Sequence, residues 1–461
     1  MRQLSRSTNR KNAGGASQLQ GFGLDGAIAL AVLVLLAVLL GGGGVRYALS
    51  NLAVQIAALT ALALNRDAVL AFIKTAPTFL RILVAFSLLL PTLQLIPLPE
   101  SIWSSLPGRE LVAASFELTG RTGFAPMTVD PVRTAVAFTA LIVPIAILCG
   151  GWEVPRPQLI LLGWVFVALA LLNIVISVPQ LMEGGRASLL YPELGDRTVL
   201  NGTFANRNST GLFLVSAMAL AATLPVPRKL PAVIAIRMAI CLLLLTGVIL
   251  TQSRTALVLA ALPLAFAATI GLMRIRVGTL PATPNFVKIS IAVGVLLAIG
   301  VAAAIAINPG RIGTTLERFN AANDARQYTW EDSSFSASRY WPVGAGMGTF
   351  DEVFQVDESL ENSTVRRPGR AHNDYLEIAI EAGAAGLLLT AFWIVLIAWL
   401  SWRIRRSELR WMGWAGAIIL AAIALQSITD YPLRNLSIFS LASFATLILA
   451  RISADPDGEH Q

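Results

Sequence analysis

Long apolar runs recur along the chain and are separated by short polar segments. A helix needs roughly 20 apolar residues to cross a bilayer, and many of these runs approach that length. The pattern predicts an all-α polytopic membrane protein with about twelve transmembrane helices, at 22–41, 47–65, 82–98, 132–150, 158–182, 209–225, 238–253, 255–273, 289–308, 383–402, 411–428 and 436–450.

Composition supports this interpretation. Hydrophobic residues make up 55% of the 461 positions and charged residues 13%, against about a quarter charged in an average soluble domain. So few charges could not cover so much apolar surface in water. This excludes a soluble enzyme, a secreted disulfide scaffold and a disordered tail protein. The two cysteines, Cys149 and Cys241, both lie in apolar runs, so no disulfide framework is predicted.

The charges indicate an orientation. With residues 1–21 in the cytoplasm, an even number of spans returns 451–461 to the cytoplasm. The inner side then holds 19 Lys/Arg and 7 Asp/Glu, and the outer side holds 16 Arg and 20 Asp/Glu, as the positive-inside rule expects. All four lysines fall inside, and every outer cation is an arginine. Arginine binds phosphate through two parallel hydrogen bonds, so the outer arginines are candidate phosphate ligands. Chance is the alternative explanation for this distribution, because the chain has only four lysines.

The predicted organisation places helices 1–9 in 22–308, a large outer loop in 309–382 and helices 10–12 in 383–450. Loops of that length are usually functional. The spans carry almost no charge at mid-depth, which disfavours an ion-coupled transporter because such proteins keep ionisable groups there.

One histidine is a candidate catalytic residue. His372 lies near the end of the large loop, whereas His460 lies in the polar tail. An imidazole titrates near neutrality and can accept a proton from a hydroxyl. The alternative is a surface or helix-capping histidine.

Several arginines are candidate phosphate ligands. Arg254 lies at the outer end of two apolar runs, where it either extends to the interface or contacts phosphate at a cavity rim. Arg207 precedes a helix that Asn208 or Ser209 could cap. Arg326 and Arg370 lie in the large loop, together with Arg339.

The large loop also contains a glycine run at 342–350, which favours a turn over a phosphate cradle because no strand and helix flank it. Its aromatic residues either stack on sugars or seat the loop at the interface: Tyr328, Trp330, Tyr340 and Trp341. The sequence has no metal-ligand cluster and no phosphate-loop lysine motif. A reaction on the outer face would therefore need an already activated donor.

These segments together resemble the O-antigen ligase and polymerase family of bacterial inner-membrane proteins. The resemblance spans roughly 90–435 and follows an ordered set of segments: Leu95–Pro99, Asp130-Pro131, Gly202–Asn208, Ser253-Arg254, Arg326 with Trp330, the glycine run ending at Phe350, His372–Glu377, Gly383 and Asp430–Leu433.

The resemblance implies a lipid-linked (GT-C type) glycosyltransferase fold with a large periplasmic loop over the active site. It implies transfer of a glycan from undecaprenyl pyrophosphate to an acceptor hydroxyl, with no metal, nucleotide or other cofactor. His372 corresponds to the family's essential loop histidine, and Arg254 and Arg326 correspond to its key arginines. Arg207 and Arg370, with Arg339, are further candidates for the pyrophosphate.

Several alternatives remain at this point. Lipid A-core ligation is favoured. Polymerisation of lipid-linked repeat units and transfer to protein are alternatives, because they would use the same kind of active site. A glycan-lipid flippase and a noncatalytic scaffold are different classes. The expected partners are lipid-linked glycans and membrane lipids, with no nucleic acid. The expected location is the inner membrane, with both termini in the cytoplasm and the site facing the periplasm.

Overall fold

A computed structural model describes residues 24–182, 190–191, 199–226, 231–276, 326–363 and 368–454. These residues form one short antiparallel pair, β1 (Pro97–Leu98) with β2 (Ala125–Pro126), and eighteen α-helices: α1 Leu24–Leu40, α2 Ala48–Leu64, α3 Arg66–Thr75, α4 Thr78–Gln94, α5 Glu100–Trp103, α6 Glu110–Leu118, α7 Pro131–Ala140, α8 Ile142–Gly150, α9 Arg156–Met182, α10 Arg207–Thr223, α11 Pro231–Leu250, α12 Arg254–Leu259, α13 Ala261–Arg276, α14 Arg326–Arg339, α15 Phe350–Asp357, α16 Asp374–Arg403, α17 Arg410–Gln426 and α18 Leu436–Ala454.

Helices occupy eleven of the twelve predicted positions, and the remaining one, 289–308, lies outside the described residues. Among the described helices, six are long and apolar enough to cross a membrane, or seven if the bent pair α2–α3 is one span. Three shorter apolar helices, α1, α4 and α17, fall below that length. The helical, polytopic character is confirmed, while the number of twelve spans and the GT-C fold remain predictions.

Two predicted spans contain a break that the hydrophobic pattern does not show. Helix α7 ends at Ala140 and α12 ends at Leu259, in each case four residues before a proline, Pro144 or Pro263. Proline has no N–H to bond the carbonyl four residues earlier, and its ring crowds that carbonyl. Each of these spans is therefore two helical pieces in succession.

The helix predicted to begin at 383 starts earlier, at Asp374, inside the predicted loop 309–382. It is interrupted at Gly383, whose φ is 55°. A Cβ at this position would overlap the carbonyl oxygen of Pro342, and the next amide, of Ala384, donates to that same oxygen at 2.9 Å. Glycine is needed here because the loop backbone enters the helix break.

Helices α10 and α18 form the centre of the bundle, since nearly all of their residues are buried. Segments predicted on the outer side contact one another at one end: Leu436 N donates to Gly41 O at 3.0 Å, and Ala205 N to Gly42 O at 3.1 Å. At the other end, Arg237 donates to Ala222 O at 3.0 Å. These contacts join positions that the charge pattern placed on the same side.

A second, smaller core lies where α14 and α15 pack against the start of α16 around Phe350, Phe354 and Ile380. The buried Arg109 ties the segment between β1 and β2 to this core. Its guanidinium donates to Gly344 O at 2.9 Å and to the carbonyl oxygen of Met127. This small core fixes the loop that carries His372.

Candidate functional site

His372 is held in an unusual backbone conformation just before α16. Its φ is 52°, and in the described part of the chain Gln252 is the other non-glycine residue with a positive φ. The preceding residue is fixed on both sides: Ala371 N donates to Glu377 Oε1 at 3.0 Å, and Ala371 O accepts from Trp330 Nε1 at 2.8 Å. Left-handed conformations of non-glycine residues persist where the surroundings enforce them, often at functional sites.

The His372 ring pairs with a buried carboxylate. Its Nδ1 lies 3.1 Å from Oδ1 of Asp430, and Asn206 Nδ2 donates to Asp430 Oδ2 at 3.0 Å. The imidazole is 37% exposed, whereas the Asp430 carboxylate is 1% exposed. A carboxylate accepts hydrogen bonds, so in the neutral imidazole Nδ1 carries the proton and Nε2 keeps its lone pair. The ring is therefore accessible and has the tautomer of a base.

Tyr431 forms one wall of the His372 site. Its ring centroid lies 5.0 Å from that of the imidazole, and the Arg370 guanidinium lies 5.9 Å from it on the ring face. Burial raises the pKa of the Tyr431 phenol, and the neighbouring Asp430 charge raises it further. The phenol is therefore neutral at physiological pH.

Three helices begin around this site, each with a side-chain cap on its first amides. The caps are Asn206 for α10, Ser253 for α12 and Asn373 for α16. The starts of α10 and α12 touch through Ser253 Oγ and Asn208 Oδ1 at 2.8 Å. The predicted cap, Asn208 or Ser209, was wrong by two or three positions, because Asn206 has the extended backbone that a cap requires.

Arg207 and Arg254 are the first residues of α10 and α12. The start of a helix carries partial positive charge, so a cation there is unfavourable to the helix itself. Neither helix has an acidic residue in its first turn to offset that charge. Local helix stability therefore does not account for two arginines at these positions.

The Arg254 segment reaches the His372 site through its neighbour. Thr255 Oγ1 lies 3.2 Å from Thr429 Oγ1, and Thr429 directly precedes Asp430, the partner of His372. Arg326 begins the described part of α14 one turn before Trp330, which donates to the residue preceding His372. The structure thus brings together the segments that carry Arg207, Arg254, Arg326 and His372.

Arg370 and Arg339 have carboxylate partners. Arg370 Nη1 lies 3.1 Å from Glu377 Oε2. Arg339 Nη1 lies 2.6 Å from Asp357 and its Nη2 lies 3.6 Å from Glu110, so Arg339 joins α14 to α15 and α6. Pyrophosphate binding by Arg370 stays a prediction, and its contacts support a role in holding the His372 loop.

The sequence did not reveal the cluster around Arg434. This guanidinium lies 2.8 Å from Glu381, 3.3 Å from Asp374 and 3.3 Å from Glu377. Burial alone would lower the pKa of Arg434, but the three carboxylates, led by Glu381, raise it above the usual value. The available signal was the spacing of the three acids, which places them on one face of α16.

The backbone amides of the glycine run in the large loop form hydrogen bonds to the protein itself. The amides of Gly344, Ala345 and Gly346 donate to Tyr340 O, Ile380 O and Glu381 O at 2.8, 2.8 and 2.9 Å. Met347 N donates to Gln94 Oε1 at 2.8 Å. These amides are occupied and cannot cradle a phosphate, in agreement with the predicted turn. Of the loop aromatic residues, Tyr340 is buried, Trp330 is bonded to Ala371 O, and Tyr328 and Trp341 are exposed.

Comparison with protein families adds the decisive observation. Residues 239–391 match the family model described as O-antigen ligase. This segment of the chain is therefore similar to O-antigen ligases. The match covers Arg254, Arg326, Arg370 and His372 and leaves out Arg207 and Asp430, which the fold brings to the same place. A comparison with curated proteins finds no match.

The match over residues 239–391 supports the resemblance to the O-antigen ligase and polymerase family that was drawn from the motifs. It suggests O-antigen ligase or polymerase activity and implies lipid-linked glycans as substrates. The apolar helices agree with such a membrane enzyme.

Proposed function

We propose that this protein is an inner-membrane glycosyltransferase that moves a glycan from undecaprenyl pyrophosphate to an acceptor hydroxyl, with lipid A-core as the favoured acceptor. One observation carries the proposal. The accessible His372 imidazole has its Nδ1 within 3.1 Å of the buried Asp430 carboxylate, in a chain whose residues 239–391 are similar to O-antigen ligases. This arrangement leaves Nε2 as a base for a hydroxyl.

The donor pyrophosphate is held by arginines, two of which are the first residues of helices. Arg254 and Arg326 are the principal ligands, and Arg207 and Arg370 assist them. Helix starts favour anions through their partial positive charge and through the first-turn amides that no side chain caps. A bound pyrophosphate would offset the unfavourable placement of Arg207 and Arg254 as the first residues of α10 and α12.

The reaction is a single displacement at the anomeric carbon. The acceptor oxygen forms a bond to that carbon while the bond from the carbon to the pyrophosphate oxygen breaks. The hydroxyl proton passes to Nε2 of His372, and both bonding electrons leave with undecaprenyl pyrophosphate. The arginines stabilise the negative charge that develops on the leaving group. Attack from the opposite face inverts the anomeric configuration.

Other groups position the base. Asp430 holds the ring tautomer, and Asn206 orients Asp430 through bonds to both carboxylate oxygens at 3.3 and 3.0 Å. Glu377 fixes the backbone before His372 through Ala371 N. We call these positioning residues because they act on His372 and not on the substrate.

The proposed location is the bacterial inner membrane, with both termini in the cytoplasm and the site facing the periplasm. The excess of Lys/Arg on the predicted inner side supports this orientation. The contacts among Gly41, Gly42, Ala205 and Leu436 support the number of crossings between these segments, because they join segments that the proposed topology places on one side.

Polymerisation is the second candidate, because the same family suggests both activities. Acceptor choice separates the two. Purified protein receives lipid-linked repeat units with lipid A-core in one reaction and lipid-linked repeat units alone in another. Glycosylated lipid A-core in the first reaction and no longer chains in the second support ligation. A ladder of longer lipid-linked chains in the second reaction identifies a polymerase, and the His372→Ala variant serves as the inactive control in both.

A further inference from the structure

One stripe of α16 carries exposed apolar side chains along the whole span. Its members follow helical spacing and are exposed: Leu388, Phe392, Val395, Trp399 and Trp402. The stripe ends in two indole side chains, Trp399 and Trp402, and Trp402 is 65% exposed. Tryptophan is enriched where a span meets the lipid headgroups. The end of α16 therefore lies at headgroup level.

Exposed arginines stack on the indoles at this end. The guanidinium carbon of Arg405 lies 3.5 Å from the Trp402 ring centroid, and that of Arg403 lies 5.0 Å from the Trp399 centroid. Arg410, at the start of α17, lies 5.2 Å from Trp411 in the same manner. In the part of the chain that the structure describes, no carboxylate forms a salt bridge with these three arginines.

Other arginines at the same end of the bundle already have protein partners. Arg66 lies 3.8 Å from the Asp67 carboxylate. Arg237 donates to the carbonyl of Ala222 at 3.0 Å, and Arg81 donates to Ile73 O at 2.5 Å. Arg237 also stacks on an indole, 5.9 Å from the Trp164 centroid, but its N–H donors are occupied by carbonyl oxygens. Among the described residues, neither a carboxylate nor a carbonyl oxygen occupies the donors of Arg403, Arg405 and Arg410 in this way.

Stacking determines what these guanidinium groups can bind. A ring covers one face of the group and orients it, while the N–H donors on its edge stay free. Those donors match a phosphate in two-point geometry. From Gly383 to Arg403 the helix rises about 30 Å at 1.5 Å per residue, so this end lies across the bilayer from His372.

We propose that Arg403, Arg405 and Arg410, framed by Trp399 and Trp402, bind the phosphate of an anionic phospholipid in the leaflet opposite the His372 site. The absence of a carboxylate partner among the described residues favours an anionic lipid over a zwitterionic one. A zwitterionic headgroup would bring its own cation against three arginines. This site is separate from glycan transfer, so its test reads lipid binding and not activity.

The test uses the full-length protein in mild detergent with fluorescent phosphatidylglycerol or phosphatidylcholine of the same acyl chains. Binding is measured for the wild type, Arg403→Gln/Arg405→Gln, and two matched controls. Arg66→Gln removes an exposed cation at the same end, and Arg121→Gln removes an arginine that stacks on Phe116 at 4.9 Å on the opposite side. Gel filtration verifies that each variant is folded.

The wild type should bind phosphatidylglycerol at least tenfold more tightly than phosphatidylcholine. Each arginine removed should weaken binding by about fivefold, since a basic residue near an anionic surface contributes about 1 kcal/mol. Both controls should bind as the wild type does. Equal affinity for the two lipids, or an equal loss in Arg66→Gln, would overturn the proposal. Inorganic phosphate is added as a competitor, and displacement of the lipid at low millimolar phosphate would also overturn it by identifying a free-phosphate site.

Trp402→Leu is the second variant, because it keeps the apolar stripe and removes the stacking surface. The proposal expects this variant to lose several-fold in affinity for phosphatidylglycerol with unchanged affinity for phosphatidylcholine. Unchanged affinity for both lipids would show that stacking on Trp402 does not build the site.

Discussion

The Nδ1 atom of His372 lies 3.1 Å from Oδ1 of Asp430, although the two residues are 58 positions apart in the chain. His372 precedes α16, and Asp430 lies in the turn between α17 and α18. A second contact joins the same two segments, because Asp374 N donates to Ser427 O at 2.9 Å. The tautomer of the proposed base therefore depends on how the segment before α16 packs against the turn between α17 and α18.

Asp430→Asn tests this dependence. The amide can no longer act as a charged acceptor for Nδ1–H, so the ring loses its fixed tautomer and its electrostatic support. A carboxylate that orients a functional histidine typically contributes about 10–100-fold to activity. We expect a loss of about that size in the rate of glycan transfer by purified enzyme. Asp67→Asn, an exposed aspartate at the opposite end, should be fully active. Equal rates for Asp430→Asn and wild type would exclude a positioning role.

His372→Gly and His372→Ala separate the chemistry of the side chain from the strain of the backbone. Both should be inactive because both lack the imidazole. The glycine variant should be the more stable by about 1 kcal/mol, since alanine at a positive φ is strained and glycine is not. Thermal unfolding in detergent measures the difference. An alanine variant at least as stable as the glycine variant would show that φ of 52° costs nothing.

Arg254→Lys should lose most of the transfer activity. Lysine keeps the charge but cannot make two parallel hydrogen bonds to a phosphate. The effect is measured as the rate of transfer across a range of donor concentrations. Arg121→Lys, which changes an arginine that stacks on Phe116, is the matched control and should retain full activity. Near-normal turnover in Arg254→Lys would rule out a two-point contact with pyrophosphate.

Arg434→Met should be strongly destabilising. The three carboxylates within 3.3 Å of this guanidinium would be left buried without their cation, and breaking a buried ion pair costs about 3–5 kcal/mol. The measurement is the midpoint of thermal unfolding. Arg66→Met removes an exposed pair and should cost less than about 1 kcal/mol. If both variants unfold at the same temperature, the cluster around Arg434 does not stabilise the fold.

Transfer should continue in excess EDTA and without any added nucleotide. The donor already carries a pyrophosphate leaving group, and the proposed step uses side chains of the protein alone. The measurement is the rate of glycan transfer with and without chelator, at constant ionic strength. Loss of activity in EDTA that returns with one particular divalent ion would show that the proposed step is incomplete.

The sequence predicted the helices well because their main determinant is local. Runs such as 158–182 and 436–450 have enough apolar residues to specify a span without information on their neighbours, and helices are found there. The bend of 75° between α2 and α3 and the break at Gly383 were not predicted. Gly383 interrupts α16 because Pro342 enters the helix from a distant loop, and no hydrophobic pattern contains that information.

The candidate site likewise has residues that the sequence predicts and residues that it does not predict. His372, Arg254 and Arg326 could be proposed from residue type and position. Few other residues on the predicted outer side could accept a proton from a hydroxyl or bind a pyrophosphate. The partners of these groups could not be proposed. Asp430, Asn206 and Arg434 acquire their roles through contacts over more than 50 positions in sequence, and such contacts follow from tertiary packing.

Glycan transfer by His372→Ala is the most direct test of the account. Purified wild type and variant, matched for membrane insertion and folding, receive lipid-linked glycan and lipid A-core, and the glycosylated acceptor is quantified. The account predicts product with the wild type and essentially none with the variant. Near-normal product from His372→Ala would contradict it, because no other group in the proposed step accepts the proton of the acceptor.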